Sequence, residues 1–255
     1  MNFHSHPTSS GGSRVPVRRL NDFTVHPRVL IIMGVAAVAA VAASVVGVAM
    51  FRLIELITNL CYFGRFSFDY TPFGQSSLGW FAVLVPIGGS IIVGLMARYG
   101  TDKIRGHGLP EAIEAILLGR SRLSMKVAVL KPISSSIVIG TGGPFGAEGP
   151  IIMTGGAIGS LIAQCLPVSD TERKTFLVAG ACAGMTIVFG TPVGAIMLAL
   201  ELLLFEWTPR SLLPVAAACI VADIIRSHTG LAYPLFPFTG TVSACHLPMR
   251  ACGLW

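Results

Sequence analysis

Two glycine-rich loops place backbone amides beside an acidic residue, and each loop is followed by an apolar run. The first is GHGLPE at residues 106–111, and the second is GTGGPFGAEGP at residues 140–150. Glycine leaves its N–H unhindered and tolerates positive φ, and proline fits the first turn of a helix. Each loop therefore predicts a helix N-terminus preceded by exposed amides, an arrangement that binds anions. A helix start that binds nothing explains the first loop, taken alone, at least as well.

Glu148 is an acid in an otherwise apolar stretch of the second loop. An ionisable side chain at membrane depth is costly and marks a functional site by default. The neighbouring glycine amides can hold either its carboxylate or a dissolved anion, and competition between the two would make a gate. The alternative is a helix-capping acid that those amides satisfy. A nucleotide site is not expected, because no Gly-Lys-Ser/Thr follows the glycines.

A third motif interrupts an apolar run near the end of the chain. It is FGTPVGA at residues 189–195, and the apolar helix that follows it ends at the acid Glu201. We expect Glu201 and Glu206 to face the cytoplasmic side or a protein interior, and either is a candidate partner for Arg210.

The amino-acid composition indicates the class of protein in which these loops lie. Of 255 residues, 53% are hydrophobic and 12% are charged, whereas a soluble domain carries about 25% charged residues. These values, with a mean hydropathy of +0.75, exclude a soluble domain, a disordered chain and a disulfide scaffold. The six cysteines show no metal-ligand spacing, and we expect no cofactor. The sequence shows no nucleophilic side chain paired with a general base, so we do not expect an enzyme. The chain is predicted to be an integral membrane protein.

The apolar runs predict how the chain crosses the bilayer. Runs 29–51 and 78–97 contain no charge and approach or exceed the roughly 20 residues that a spanning helix needs. Residues 1–28 carry four arginines against one acid, which predicts a cytoplasmic N-terminus in a multi-pass protein of the plasma or inner membrane. The same rule accounts for the net charge of +6, so no nucleic-acid partner is expected.

Beyond residue 100 the apolar segments become short, and glycine and proline interrupt them. We expect a brief helix at 111–118, a segment at 127–139 broken by Lys131-Pro132 and three serines, and a further uncharged stretch at 149–169. Run 176–200 predicts two helices meeting at residues 190–192, and run 211–225 predicts another short helix. The predicted divisions are a basic segment at 1–28, a membrane domain at 29–230 and an irregular tail at 231–255.

Interrupted helices at membrane depth are themselves a functional signal. Irregular backbone leaves polar groups without water, and this is tolerated where protein or a hydrated cavity satisfies them. Such breaks mark transport sites, where half-helix N-termini point at an anion. The pattern favours a transporter or channel over a membrane anchor.

Together, the three motifs resemble the N-terminal half of the CLC family of chloride channels and proton-coupled chloride exchangers. Residues 106–111 are similar to the family's G-S-G-I-P-E loop, and residues 146–150 match G-(K/R)-E-G-P, in which the glutamate is the gate. Residues 189–201 resemble the F-N-A-P-L-A-G-x-L-F-x-x-E-E helix. The motifs occur in the family's order, and the resemblance covers about residues 29–230.

The resemblance implies an all-α fold of two inverted repeats per subunit, and a homodimer with one pore in each subunit. It implies that Glu148 gates the passage of chloride or a related anion, and that its protonation couples opening to external pH. The partners it implies are the anion and membrane lipid. The anion-binding residues that it implies are Gly106, His107, Gly108, Leu109, Pro110, Gly146, Ala147, Gly149 and Pro150.

Three substitutions depart from the family pattern. His107 replaces the serine whose hydroxyl coordinates the central anion, although a neutral imidazole still donates one hydrogen bond. Ala147 replaces a lysine or arginine and removes a positive charge. Leu202 follows Glu201 where exchangers carry a second, proton-accepting glutamate. We therefore expect passive anion conduction, with a proton-coupled exchanger as the alternative.

The resemblance stops near the end of the first repeat. The second repeat supplies the G-x-F-x-P motif and a pore tyrosine, and neither is found. Because inverted repeats enclose the site between them, one repeat leaves half of the anion's ligands missing. Two interpretations remain open: a truncated, non-conducting fragment caused by a frameshift or early stop, and a half that assembles with another half.

Overall fold

A computed structural model describes residues 27–69, 71, 78–100, 108–117, 121, 123–204 and 208–229. Over these residues the chain is all-α, as the sequence predicts, and no strand is found in them. The π-helical turns Asn59–Phe63 and Ala199–Leu204 continue α1 and α7, and the 3₁₀ turn Gly79–Val83 precedes α2. The eight α-helices of this part are α1 Pro27–Thr58, α2 Leu84–Tyr99, α3 Leu109–Leu117, α4 Met125–Gly140, α5 Glu148–Gln164, α6 Asp170–Phe189, α7 Pro192–Leu198 and α8 Pro209–His228.

Within the part of the chain that the structure describes, three helices are long and apolar enough to cross a bilayer: Arg28–Phe63, Gly79–Tyr99 and Pro209–His228. The first two extend the runs predicted at 29–51 and 78–97. The third was expected to be a short helix at 211–225, but it continues through Pro214 and spans 20 residues. Helix α2 lies at the edge of the molecule, because only 11% of its most apolar window is buried.

The centre of the fold is the antiparallel pair α5 and α6. Gly155 packs against the Gly180 backbone, and Gly159 packs against the backbone of Phe176. A Cβ atom at either glycine would overlap a main-chain carbonyl, so the two helices approach more closely than side chains allow. Small residues at such spacing are the usual basis of helix pairing in membranes. Helices α1, α4 and α8 pack around this pair.

The break predicted within 127–139 is wrong. Helix α4 runs from Met125 to Gly140 with Pro132 inside it. Proline removes one backbone donor, yet the helix continues through it. In the following turn, the Ser135 hydroxyl donates to Lys131 O at 2.7 Å, and the Ser136 hydroxyl donates to Pro132 O at 2.7 Å. The three serines therefore lie inside a continuous helix and do not mark its end.

The break predicted at residues 190–192 is confirmed. Helix α6 ends at Phe189, Gly190 adopts a left-handed φ of 65°, and Pro192 begins α7. This is a common helix ending, in which glycine accepts a conformation that is strained for other residues. Helix α5 occupies most of the uncharged stretch at 149–169: it stops at Gln164, and Ser169 caps the next helix.

Candidate functional site

The first two sequence motifs meet at the N-termini of α3 and α5. Gly108 has a φ of 94°, and its Cα lies directly against the Gly149 carbonyl, where a Cβ atom would not fit. The two helix starts are therefore in contact through backbone alone. The first amides of each helix have no partners within that helix.

Not all of these amides are open in the structure. The Gly108 N–H donates to Glu111 Oε2 at 2.6 Å, so the α3 side of the site caps itself. Glu111 is also the acid whose charge acts on Lys131, a lysine that is only 1% exposed. Sequence analysis assigned no role to Lys131, although a lone charge in an apolar run signals a buried partner.

The loop that carries Glu148 is held at its beginning by the last turns of α1. Thr58 Oγ1 donates to Gly140 O at 3.0 Å, and the Tyr62 hydroxyl donates to Thr141 O at 3.0 Å. Thr141 is buried, whereas residues 144–146 are exposed. One end of the loop is thus fixed, and residues 144–146 near its other end are exposed.

Glu148 is exposed in the first turn of α5. Helix α5 has no side-chain cap, and within the described ranges no hydrogen bond or ion pair reaches the Glu148 carboxylate. The interpretation of Glu148 as a capping acid held by glycine amides is therefore not what the structure shows. The arrangement leaves a helix N-terminus without a side-chain cap beside an exposed carboxylate.

The remaining predicted binding residues lie close to this contact or outside the described residues. Leu109 and Pro110 form the first turn of α3, and Pro150 lies in the first turn of α5. Gly146 is exposed and Ala147 is half-buried just before α5. Gly106 and His107 lie outside the described residues.

The third motif packs against α6 and α8. The Arg226 guanidinium of α8 covers Gly190 so closely that a side chain there would overlap it. Glu201 lies in the wide turn Ala199–Leu204, which contacts α3, and it is exposed. The expected pairing of Arg210 with Glu201 is wrong, because Arg210 Nη2 lies 3.5 Å from Glu172 Oε1 instead. Glu206 lies outside the described residues.

Glu172 is a charged centre that sequence analysis missed. It is 3% exposed, and Arg28 Nε lies 2.9 Å from its Oε1. Burial raises the pKa of Glu172, but the Ser169 amide, Arg28 and Arg210 together hold it below its ordinary value. The Ser-x-x-Glu spacing of residues 169–172 was a sequence signal for the helix start, and the structure forms this capping box. Nothing in the sequence indicated the two arginines.

Comparison with known proteins decides the family. The sequence profile of the family described as voltage gated chloride channel matches residues 88–253, which is more than half of the chain. The chain belongs to the voltage-gated chloride channel family. This agrees with the CLC resemblance of the three motifs and with the three candidate membrane spans.

Individual relatives within the family match over different lengths. The H(+)/Cl(−) exchange transporter ClcA of Vibrio campbellii is 26% identical over 221 residues, covering 84% of this chain and 46% of the relative. The voltage-gated ClC-type chloride channel ClcB of Yersinia pseudotuberculosis is 28% identical over 162 residues, covering 63% of this chain and 39% of the relative. The relatives include both a named exchanger and a named channel.

A solved structure of the family has the same fold. A slow cyanobacterial Cl−/H+ antiporter superposes with a TM-score of 0.61 at 19% identity, over 81% of this chain and 48% of that chain. The chain thus spans less than half the length of these relatives. At this identity the likeness establishes the fold only.

Proposed function

We propose that this chain forms one half of a passive anion pathway in which Glu148 is the gate. The observation that carries the proposal is the exposed Glu148 carboxylate at the start of α5, which has no side-chain cap. This helix start contacts the start of α3 through Gly149 and Gly108. An anion at this helix start would compete with the carboxylate for the same amides. Protonation of Glu148 would remove its charge and favour entry of the anion.

Chloride is the proposed anion, since the names of the relatives refer to chloride. Leu202 favours conduction over proton exchange, because leucine cannot carry a proton at the position after Glu201. A cytoplasmic N-terminus and assembly as a homodimer belong to the same proposal. A second half, supplied by another copy of this chain, would provide the anion's remaining ligands.

Chloride efflux from liposomes tests the proposal. The full chain, reconstituted, is expected to release chloride faster than empty vesicles do, and to release more as external pH falls. Glu148→Gln, a permanently uncharged mimic, is expected to abolish the pH dependence. Glu114→Gln is a matched control, because Glu114 is exposed on α3 and the charge change is identical; it should keep the pH dependence.

Two outcomes contradict the proposal separately. Flux that equals that of empty vesicles would contradict conduction and favour the non-conducting fragment. Flux with an unchanged pH dependence in Glu148→Gln would retain conduction and reject Glu148 as its gate. Proton movement coupled to chloride efflux would favour the exchanger over the passive pathway.

A further inference from the structure

A groove of about 510 Å³ lies between the first turns of α1 and the link into α6. Its walls are apolar, with Ile31 and Val35 from α1 and Leu166 from the link. Arg28 and Glu172 line its polar end. The groove therefore combines an apolar body with a charged mouth.

Counted over the residues that the structure describes, the charged mouth carries more positive than negative charge. Both Arg28 and Arg210 point their guanidinium groups at the single Glu172 carboxylate, at 2.9 and 3.5 Å. The arginine side chains are 61% and 46% exposed, whereas that of Glu172 is 3% exposed. Two guanidinium groups facing one carboxylate leave one positive charge on the exposed side. Arg173 adds none, because it pairs with Asp170 at 2.8 Å.

The apolar body of the groove is continuous with an exposed apolar stripe on α1. Along the candidate span of α1, the side chains of Ile31, Val38 and Val45 are 69%, 62% and 59% exposed. A stripe of this kind on a membrane-crossing helix is expected to contact acyl chains. A small dissolved anion would use the arginines but not these apolar walls.

We propose that this groove binds an anionic phospholipid. One acyl chain lies along Ile31 and Val35, and the phosphate bridges Arg28 and Arg210. Guanidinium groups bind phosphate through paired, charge-assisted hydrogen bonds. Basic pockets at the ends of membrane helices are recognised sites for anionic head groups on the cytoplasmic side. That side is where the four arginines of residues 1–28 are predicted to lie.

Thermal unfolding of the full chain in detergent tests the site without reference to transport. Added phosphatidylglycerol is expected to raise the midpoint by about 3 °C more than the same concentration of phosphatidylcholine does, because a ligand of the folded state stabilises it. A third measurement adds glycerol phosphate alone, which has the head group's phosphate but no acyl chains. It is expected not to raise the unfolding midpoint as phosphatidylglycerol does.

The arginine pair is tested by Arg28→Gln/Arg210→Gln, which is expected to remove the extra increment from phosphatidylglycerol. Arg98→Gln is the matched control, since Arg98 is an exposed arginine in the last turn of α2, away from the groove; it should retain the increment. Leu166→Trp, which fills the groove while keeping both arginines, should reduce the increment as well.

Each variant is compared with and without lipid, so a lower baseline stability does not affect the comparison. Equal increments from the two lipids in the unaltered chain would overturn the proposal. Retention of the phosphatidylglycerol increment in the double arginine variant would also overturn it. If that variant does not fold, Leu166→Trp decides: an unchanged increment rejects the groove.

Discussion

Glu148 and Glu172 each lie in the first turn of a helix, at opposite ends of the antiparallel pair α5 and α6. Glu172 is buried, caps its own helix with Ser169 and faces two arginines. Glu148 is exposed, and its helix has no side-chain cap. The same residue type at the same kind of position is thus enclosed by charged partners at one end and has no bonded partner among the described residues at the other. The difference comes from the partners that tertiary packing supplies.

The largest expected effect on stability comes from the close packing of α5 against α6, which connects the two glutamates. Gly155→Ala places a Cβ on the Gly180 carbonyl, and because backbone cannot move aside as a side chain does, we expect a loss of about 3 kcal/mol. Gly34→Ala is the matched control, since nothing lies within 4 Å of a Cβ there; the change should be neutral or slightly stabilising. Thermal unfolding in detergent measures both. Similar midpoints for the two variants would refute the close α5–α6 contact.

The contrast between the two glutamates is tested next by Glu172→Gln. Removing the carboxylate leaves two guanidinium groups facing each other without an acid, and we expect a loss of about 2 kcal/mol. Glu148→Gln is the paired variant and should leave the unfolding midpoint unchanged, because no described residue bonds to that carboxylate. A larger loss in Glu148→Gln than in Glu172→Gln would reverse the assignment of structural and functional roles.

The smallest expected effect is a pH dependence of the stability that Glu172 contributes. Its pKa is lower in the folded protein than its ordinary value, so its contribution to stability is present above the ordinary pKa and is lost as pH falls through the folded pKa. The difference in unfolding midpoint between the unaltered chain and Glu172→Gln should therefore shrink on going from pH 7 to below about 4. A difference that stays constant with pH would show that Glu172 does not act through its charge.

Sequence reasoning succeeded where local patterns determine the structure. The apolar runs located the first two spans, and the Gly-Thr-Pro sequence located the boundary between α6 and α7. The grouping of residues 106–111 with 146–150 followed from the family resemblance, and their contact appears as Gly108 against Gly149.

Sequence reasoning failed where distant residues determine the outcome. Pro132 was expected to break α4, but the helix continues through it and packs against α1 and α5. The partner of Arg210 was sought among nearby acids, whereas it comes from the start of α6, 38 positions earlier in the chain. Burial of Lys131 beside Glu111 likewise requires the packing of α3 against its neighbours, which no local pattern encodes.

The π-helical turn Asn59–Phe63 at the end of α1 sets the direction in which Tyr62 points. Such a turn accommodates one extra residue, and each residue of a regular helix rotates the chain by about 100°. Deleting a single residue there would restore regular winding and swing the phenol away from Thr141 O, which it now contacts. The register of a peripheral helix end therefore controls the anchorage of the loop that carries Glu148, even though no residue of that turn belongs to the motifs.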